Sequence, residues 1–245
     1  MSLLRFKALS FEVVGTLIDF ERGMLDYLHQ AAPAARVSDS EFLQACREAR
    51  ASPLALFFPD DLERVWHDLA RQFGLPAQAA AGFRTSVMRW PAFAETVAAL
   101  KRLKKHYRLV AATNAQRWAL GQFEYTLARP FDWALTCDDT RREKPDPRYF
   151  VALKERLASH GIRPAETLHV GESQFHDIRI AQALGWRTCR IERRSGATSS
   201  EVKAKPDWRF SNLRELADAV EAEAAQQRQR TALPRFQESF VLSAA

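Results

Sequence analysis

Cysteine is scarce. The chain has three, Cys46, Cys137 and Cys189, far apart and with no C-x-x-C pair among them. That spacing excludes a zinc ribbon and a thioredoxin-type redox motif, and it suits three reduced thiols in a cytoplasmic protein. Long apolar runs are missing too. No stretch approaches the ~20 residues needed to cross a bilayer, so no membrane association is expected. The first residues, Met1-Ser2-Leu3-Leu4-Arg5-Phe6-Lys7, hold neither a long apolar segment nor a small-residue cleavage site, so no secretory leader is expected. Internal repeats and long low-complexity tracts are absent. The formal net charge is +6, yet the basic residues form no stripe, known module or aromatic interleaving, which argues against nucleic acid. The surplus suits steering of a small anionic substrate instead.

What remains is an ordinary globular composition, 47% apolar and 27% charged over 245 residues. That is enough for one domain carrying an insertion. Short apolar runs at residues 8–14, 107–113, 133–136, 167–171 and 186–191 predict buried parallel strands. Helical spacing marks 93–106. Pro147 opens a helix over 147–159, and Gly185 stops one over 174–184. Strands alternating with helices predict an α/β fold with a Rossmann-like parallel sheet.

Residues 21–92 break the rhythm. They hold about four helical patterns, including 41–51 and 60–73, and no convincing strand. An inserted all-helical cap is the expectation, set over the carboxyl edge of the sheet, where such folds bind ligands. The expected core is then 1–20 with 93–223. The polar segment 224–245 is expected to be a C-terminal tail.

Four short signals fall at strand ends. The first is Phe11-Glu12-Val13-Val14-Gly15-Thr16, a carboxylate followed by a turn. The second is Thr113-Asn114, the third Glu143-Lys144-Pro145, and the fourth Gly171-Glu172-Ser173-Gln174-Phe175-His176-Asp177. Each alone reads equally well as turn chemistry or as helix-terminal charge. Together they bring carboxylates, hydroxyl, amide and ammonium to one cleft. A carboxylate can attack carbon or phosphorus, Thr and Asn can hold a developing anion, and a lysine keeps nearby carboxylates ionised.

In this order the four signals resemble the haloacid dehalogenase superfamily, and within it the type II 2-haloacid dehalogenase branch. The resemblance covers roughly residues 7–216. It implies catalytic roles for Glu12 (nucleophile), Thr16 (the loop hydroxyl that contacts the substrate), Lys144 and Asp177. It implies substrate contacts from Thr113, Asn114, Glu172, Ser173 and His176, with Arg47 or Arg50 clamping a substrate carboxylate from the cap. The family tyrosine falls near Tyr149-Phe150. Two positions depart from the family: Glu12 and Glu172 stand where the pattern has aspartate. The added methylene moves a carboxylate by about 1.5 Å, enough to alter the inherited geometry. Val14 stands where the superfamily's phosphatases carry a second, proton-donating Asp.

The implied activity is substitution at carbon on a small anionic substrate, with Glu12 as nucleophile or as base, or a related epoxide or ester opening. No cofactor or metal is expected. A silent, ligand-binding relative and a Mg²⁺ phosphatase using Glu12, Glu172 and Asp177 are the alternatives. A homodimer is compatible with the sequence. His169 and His176 are weighed as capping or packing residues, with water activation the alternative for His176 beside Asp177, and the six tryptophans as core or cap-interface residues.

Overall fold

The computed structural model describes residues 1–193 and 204–232. Six parallel strands form one sheet: β1 (Ala8–Phe11), β2 (Arg108–Ala112), β3 (Trp133–Leu135), β4 (Thr167–Gly171), β5 (Arg187–Ile191) and β6 (Trp208–Phe210). Their order is β3-β2-β1-β4-β5-β6. Strand β1 therefore lies centrally, paired with β2 through Leu9–Leu109 and with β4 through Ser10–His169. All four residues of β1 are buried, as expected of a strand covered by helices on both faces.

Ten α-helices accompany the sheet among the described residues. They are α1 (Phe20–Ala31), α2 (Asp39–Arg50), α3 (Asp61–Phe73), α4 (Ala80–Thr85), α5 (Thr96–Leu103), α6 (Arg117–Thr126), α7 (Cys137–Thr140), α8 (Pro147–Ala158), α9 (Arg179–Ala183) and α10 (Leu213–Ala232). Local chemistry sets their ends. Ser38 and Glu41 form a reciprocal capping box on α2. Helix α3 stops at Gly74, whose φ is 68°. Asp146 caps α8 with Pro147 at its first position.

The first four helices come between β1 and β2, as the strandless stretch predicts. Both ends of this insert are pinned together. Ile18 bridges Ala92, the Asp19 N–H donates to the Pro91 carbonyl, and the Phe93 N–H donates to that of Leu17. The insert has its own aromatic core, in which the Trp66 and Phe83 rings lie 5.0 Å apart and the Tyr27 and Trp66 rings 5.3 Å apart. Such pairs add about 0.5–1.5 kcal/mol each beyond area burial. Gly23 lets α1 press against Trp90, since a Cβ there would meet the indole at 2.2 Å. The insert also docks onto the sheet's carboxyl edge. The Gln116 N–H donates to the Phe58 carbonyl, and the Phe58 N–H donates to Glu143 Oε1 at 3.0 Å.

Two expectations need correction. The polar segment from Ala224 onward continues α10 as far as Ala232, because alanine, glutamine and arginine are strong helix formers. Only 233–245 of the expected tail lies outside the described residues. Strand β6 was not anticipated: it is a three-residue edge strand with an exposed arginine at its centre.

Candidate active site

A cavity of about 700 Å³ opens where the strand order reverses around β1, between the carboxyl ends of the strands and helices α1 to α3. Ligands in open α/β sheets bind at such a switch point. Its floor holds the charged motif residues.

Glu12 follows β1 directly and is 7% exposed. The longer side chain is accommodated by folding back on its own backbone. Its Oε1 accepts from the N–H of Val13 at 2.7 Å and of Val14 at 3.1 Å, and from the Thr113 hydroxyl at 2.8 Å. Its Oε2 meets the ammonium of Lys144. Lys144 is 2% exposed. Besides Glu12 it donates to Asp177 Oδ1 at 2.6 Å and to the Ala112 carbonyl at 2.7 Å. Burial works against the charge on Lys144, but the Asp177 and Glu12 carboxylates outweigh it and raise its pKa. Asp177 is opposed by burial in the same way, and Lys144 and the His169 hydrogen bond hold its carboxyl well below the usual range. The floor is thus a buried carboxylate–ammonium–carboxylate bridge.

The remaining motif residues position this bridge. Asn114 pairs with the backbone of Lys144 through both ends of its amide, at 2.7 and 2.9 Å, and so fixes the loop that delivers the lysine. Tyr149 lies under the ammonium, 5.7 Å from it to the ring centroid, and its hydroxyl donates to the Leu135 carbonyl at 2.7 Å. Ser173 caps the helical turn Gln174–Ile178, accepting from the His176 N–H, and its hydroxyl lies 3.1 Å from His176 Nδ1. Glu172, Ser173 and His176 line the cavity with Thr113 and Asn114.

Thr16 departs from the expected substrate contact. It is fully buried, and its hydroxyl accepts the Glu172 N–H at 2.9 Å. It ties the first motif's loop to the fourth, behind the cavity. The arginines also divide. Both line the cavity, but Arg47 is half-exposed and meets Glu21 at 3.4 Å beyond its own helix. Arg50 is held by Asp61 at 2.8 Å and by the Leu56 carbonyl at 2.9 Å, leaving its Nη2 edge 3.7 Å from Glu143. Arg50 is therefore the preorganised cation of the two.

Sequence reasoning missed Glu143, a cavity-lining carboxyl raised by its burial. Its signal was adjacency to Lys144. It also missed the apolar wall of Phe20, Met24, Leu43, Phe58, Leu62 and Phe175. In the sequence these are indistinguishable from helix-face core residues.

A magnesium ion, the requirement of the phosphatase alternative, does not fit this donor set. The Lys144 ammonium already lies between Glu12 and Asp177. Among the described residues no three His, Cys, Asp or Glu side chains converge as metal ligands.

Gly171 permits the close approach of Asp177. A Cβ at this position would lie 2.7 Å from the Asp177 carboxyl group. Gly171→Ala is expected to displace Asp177 and to cost ~10²-fold in turnover with the fold retained. Circular dichroism beside a rate assay checks both halves.

A six-stranded parallel sheet with a helical insert and a charged cleft at its switch point defines an α/β fold of the Rossmann-like class. The chain belongs to the haloacid dehalogenase-like hydrolases, whose family model matches residues 6–185. It is similar to (S)-2-haloacid dehalogenase 4A of Burkholderia cepacia, 25% identical over 157 residues, 64% of this chain and 62% of that one. It also resembles the glyceraldehyde 3-phosphate phosphatase of Methanopyrus kandleri, 37% identical over 81 residues, 32% and 33% of the two chains. The chain matches less than two thirds of the length of these curated relatives. In three dimensions it is similar to the L-2-haloacid dehalogenase of Xanthobacter autotrophicus with chloropropionic acid covalently bound. The TM-score is 0.73 at 20% identity, covering 88% of this chain and 98% of that one.

Proposed function

We propose that this hydrolase displaces a leaving group from the carbon beside a carboxylate, through an ester on Glu12. The observation that carries the reading is the unequal treatment of the two Glu12 oxygens. Oε1 has three donors and no lone pair to spare. Among the described residues Oε2 has Lys144 alone, which leaves it a lone pair for attack. In the first step Oε2 bonds to the substrate carbon, and the carbon–halogen bond breaks with its electron pair leaving on halide. Water then attacks the ester carbonyl carbon. The negative charge develops on Oε1, where the Val13 and Val14 N–H groups and the Thr113 hydroxyl already point. Asp177 Oδ2 takes one proton of the water. As the adduct collapses the carbonyl carbon–Oε2 bond breaks, and Oε2 takes that proton back from Asp177 and leaves as the product's hydroxyl oxygen. The water's second proton passes to solvent, which restores the carboxylate of Glu12. Val14 supports a leaving group that needs no proton.

In this reading the helical insert acts as a cap. Arg50 holds the substrate carboxylate, and the apolar wall takes the rest of the substrate. No metal takes part. The test is halide release by the whole chain from both enantiomers of 2-bromopropanoate, 2-bromobutanoate and 2-bromohexanoate, with and without EDTA. Turnover is expected in both conditions. Because each methylene buried is worth about 0.8 kcal/mol, kcat/KM should rise about threefold to fourfold per added carbon. Phosphate-ester hydrolysis abolished by EDTA and restored by magnesium, with no halide release, would overturn the reading.

A further inference from the structure

Behind the bridge lies a pair of polar side chains that the mechanism above does not use. Ser10 and His169 face each other across paired positions of β1 and β4, and both are fully buried. The Ser10 hydroxyl lies 3.0 Å from His169 Nδ1, and His169 Nε2 lies 3.3 Å from Asp177 Oδ1. The edge of the Phe150 ring closes the third side, 5.1 Å between centroids. A histidine in a strand otherwise made of threonine, leucine, valine and glycine is costly to bury unless its polar atoms are used.

The partners fix its state. A carboxylate can only accept, so Nε2 carries the proton. Burial disfavours the imidazolium, and the Lys144 ammonium opposes it further, while Asp177 and Glu12 pull the other way. The ring is neutral, so Nδ1 accepts from Ser10. Oδ1 of Asp177 then receives both His169 and Lys144. Its Oδ2 is buried and accepts no hydrogen bond among the described residues.

We propose that Ser10 and His169 are positioning residues that hold Asp177 in one orientation, one oxygen clamped to Lys144 and the other, buried and without a hydrogen bond among the described residues, kept as the acceptor for the attacking water. A carboxylate with Lys144 as its sole partner could rotate and present either oxygen; the second donor on Oδ1 removes that freedom. The inference concerns the same site, but its geometry does not depend on the leaving group.

The test has an arm that needs no substrate. In the full chain labelled with ¹⁵N-histidine, His169 is identified by the signal lost in His169→Phe, or in His169→Gln should the first variant fail to fold. Its ring is expected to show protonated Nε2 and bare Nδ1, and no titration between about pH 5 and 9. Ser10→Ala should shift Nδ1, and Asp177→Asn should shift Nε2. A ring that titrates near the ordinary value of about 6.5, a proton on Nδ1, or no response to Ser10→Ala would overturn the proposal. The second arm uses 2-bromobutanoate. His169→Phe should lower kcat ~10²-fold with KM unchanged and move the acid limb of kcat upward, because Asp177 loses a hydrogen bond that keeps it ionised. His169→Asn, which keeps an N–H donor, should recover part of the loss. Equal loss in both variants, or a KM effect alone, would mark His169 as packing only. Failure of the unsubstituted chain to release halide would sink the dehalogenase reading, and the ¹⁵N arm would still decide this one.

Discussion

Lys144→Met is expected to destabilise the fold by about 3–5 kcal/mol, the cost of removing one partner from a buried ion pair. The methionine fills the space but leaves Glu12 and Asp177 facing each other with no cation between them. Urea unfolding at neutral pH measures the effect. It should shrink as pH falls. In the unsubstituted chain Asp177 is held below its usual pKa, so its stabilisation is present above the unfolded value of about 3.9 and is lost only as pH falls through the lowered one. In Lys144→Met the same carboxyl has lost its main counter-charge and protonates at higher pH, which relieves the repulsion. A loss under 1 kcal/mol, or a loss independent of pH, would show that the bridge is not the buried unit described.

Glu12→Gln is expected to lower turnover by about 10⁴-fold or more, the scale of removing a nucleophile from a covalent mechanism. The amide keeps the size and leaves the Val13 and Val14 donors an acceptor, so stability should change far less than in Lys144→Met. Glu12→Asp discriminates more finely. It restores the family's residue but withdraws the carboxylate by about 1.5 Å from a cleft in which the longer arm reaches the donors at Oε1. A fall of ~10²-fold is expected. A large gain from Glu12→Asp alone would mean that the glutamate is a handicap and not part of an adjusted site. Steady-state halide release over both variants decides between these outcomes.

The parts of this site legible in the sequence are those written locally. Glu12 and Thr113-Asn114 follow strands, Asp177 sits in the first helical turn after β4, and Lys144 precedes the proline-opened helix α8, so short local signals are enough to find them. What failed depends on distant partners. Thr16 looked like a hydroxyl facing substrate, but its partner is the N–H of Glu172, 156 residues away, and nothing in the turn reports that. The first strand read too long for a related reason. Val13 and Val14 are apolar, but their N–H groups turn to Glu12 instead of a neighbouring strand. Strand β6 was invisible because two half-exposed aromatic residues flanking an exposed arginine carry no periodic signal. Helix α10 ran past its expected end because helix propensity persists after the apolar stripe fades. The Ser10–His169 contact was hidden because alternate residues of two strands become neighbours only once the sheet pairs them.

The central claim is that Glu12 Oε2 ends in the product. A single turnover of 2-bromobutanoate with enzyme in excess, run in ¹⁸O-water, tests it most directly. If water attacks an ester on Glu12, mass spectrometry finds ¹⁸O in the peptide that carries Glu12 and an unlabelled hydroxyl in the first 2-hydroxybutanoate formed. If Glu12 instead acts as a base on water, the hydroxyl carries the label and the Glu12 peptide does not, and the covalent account is wrong.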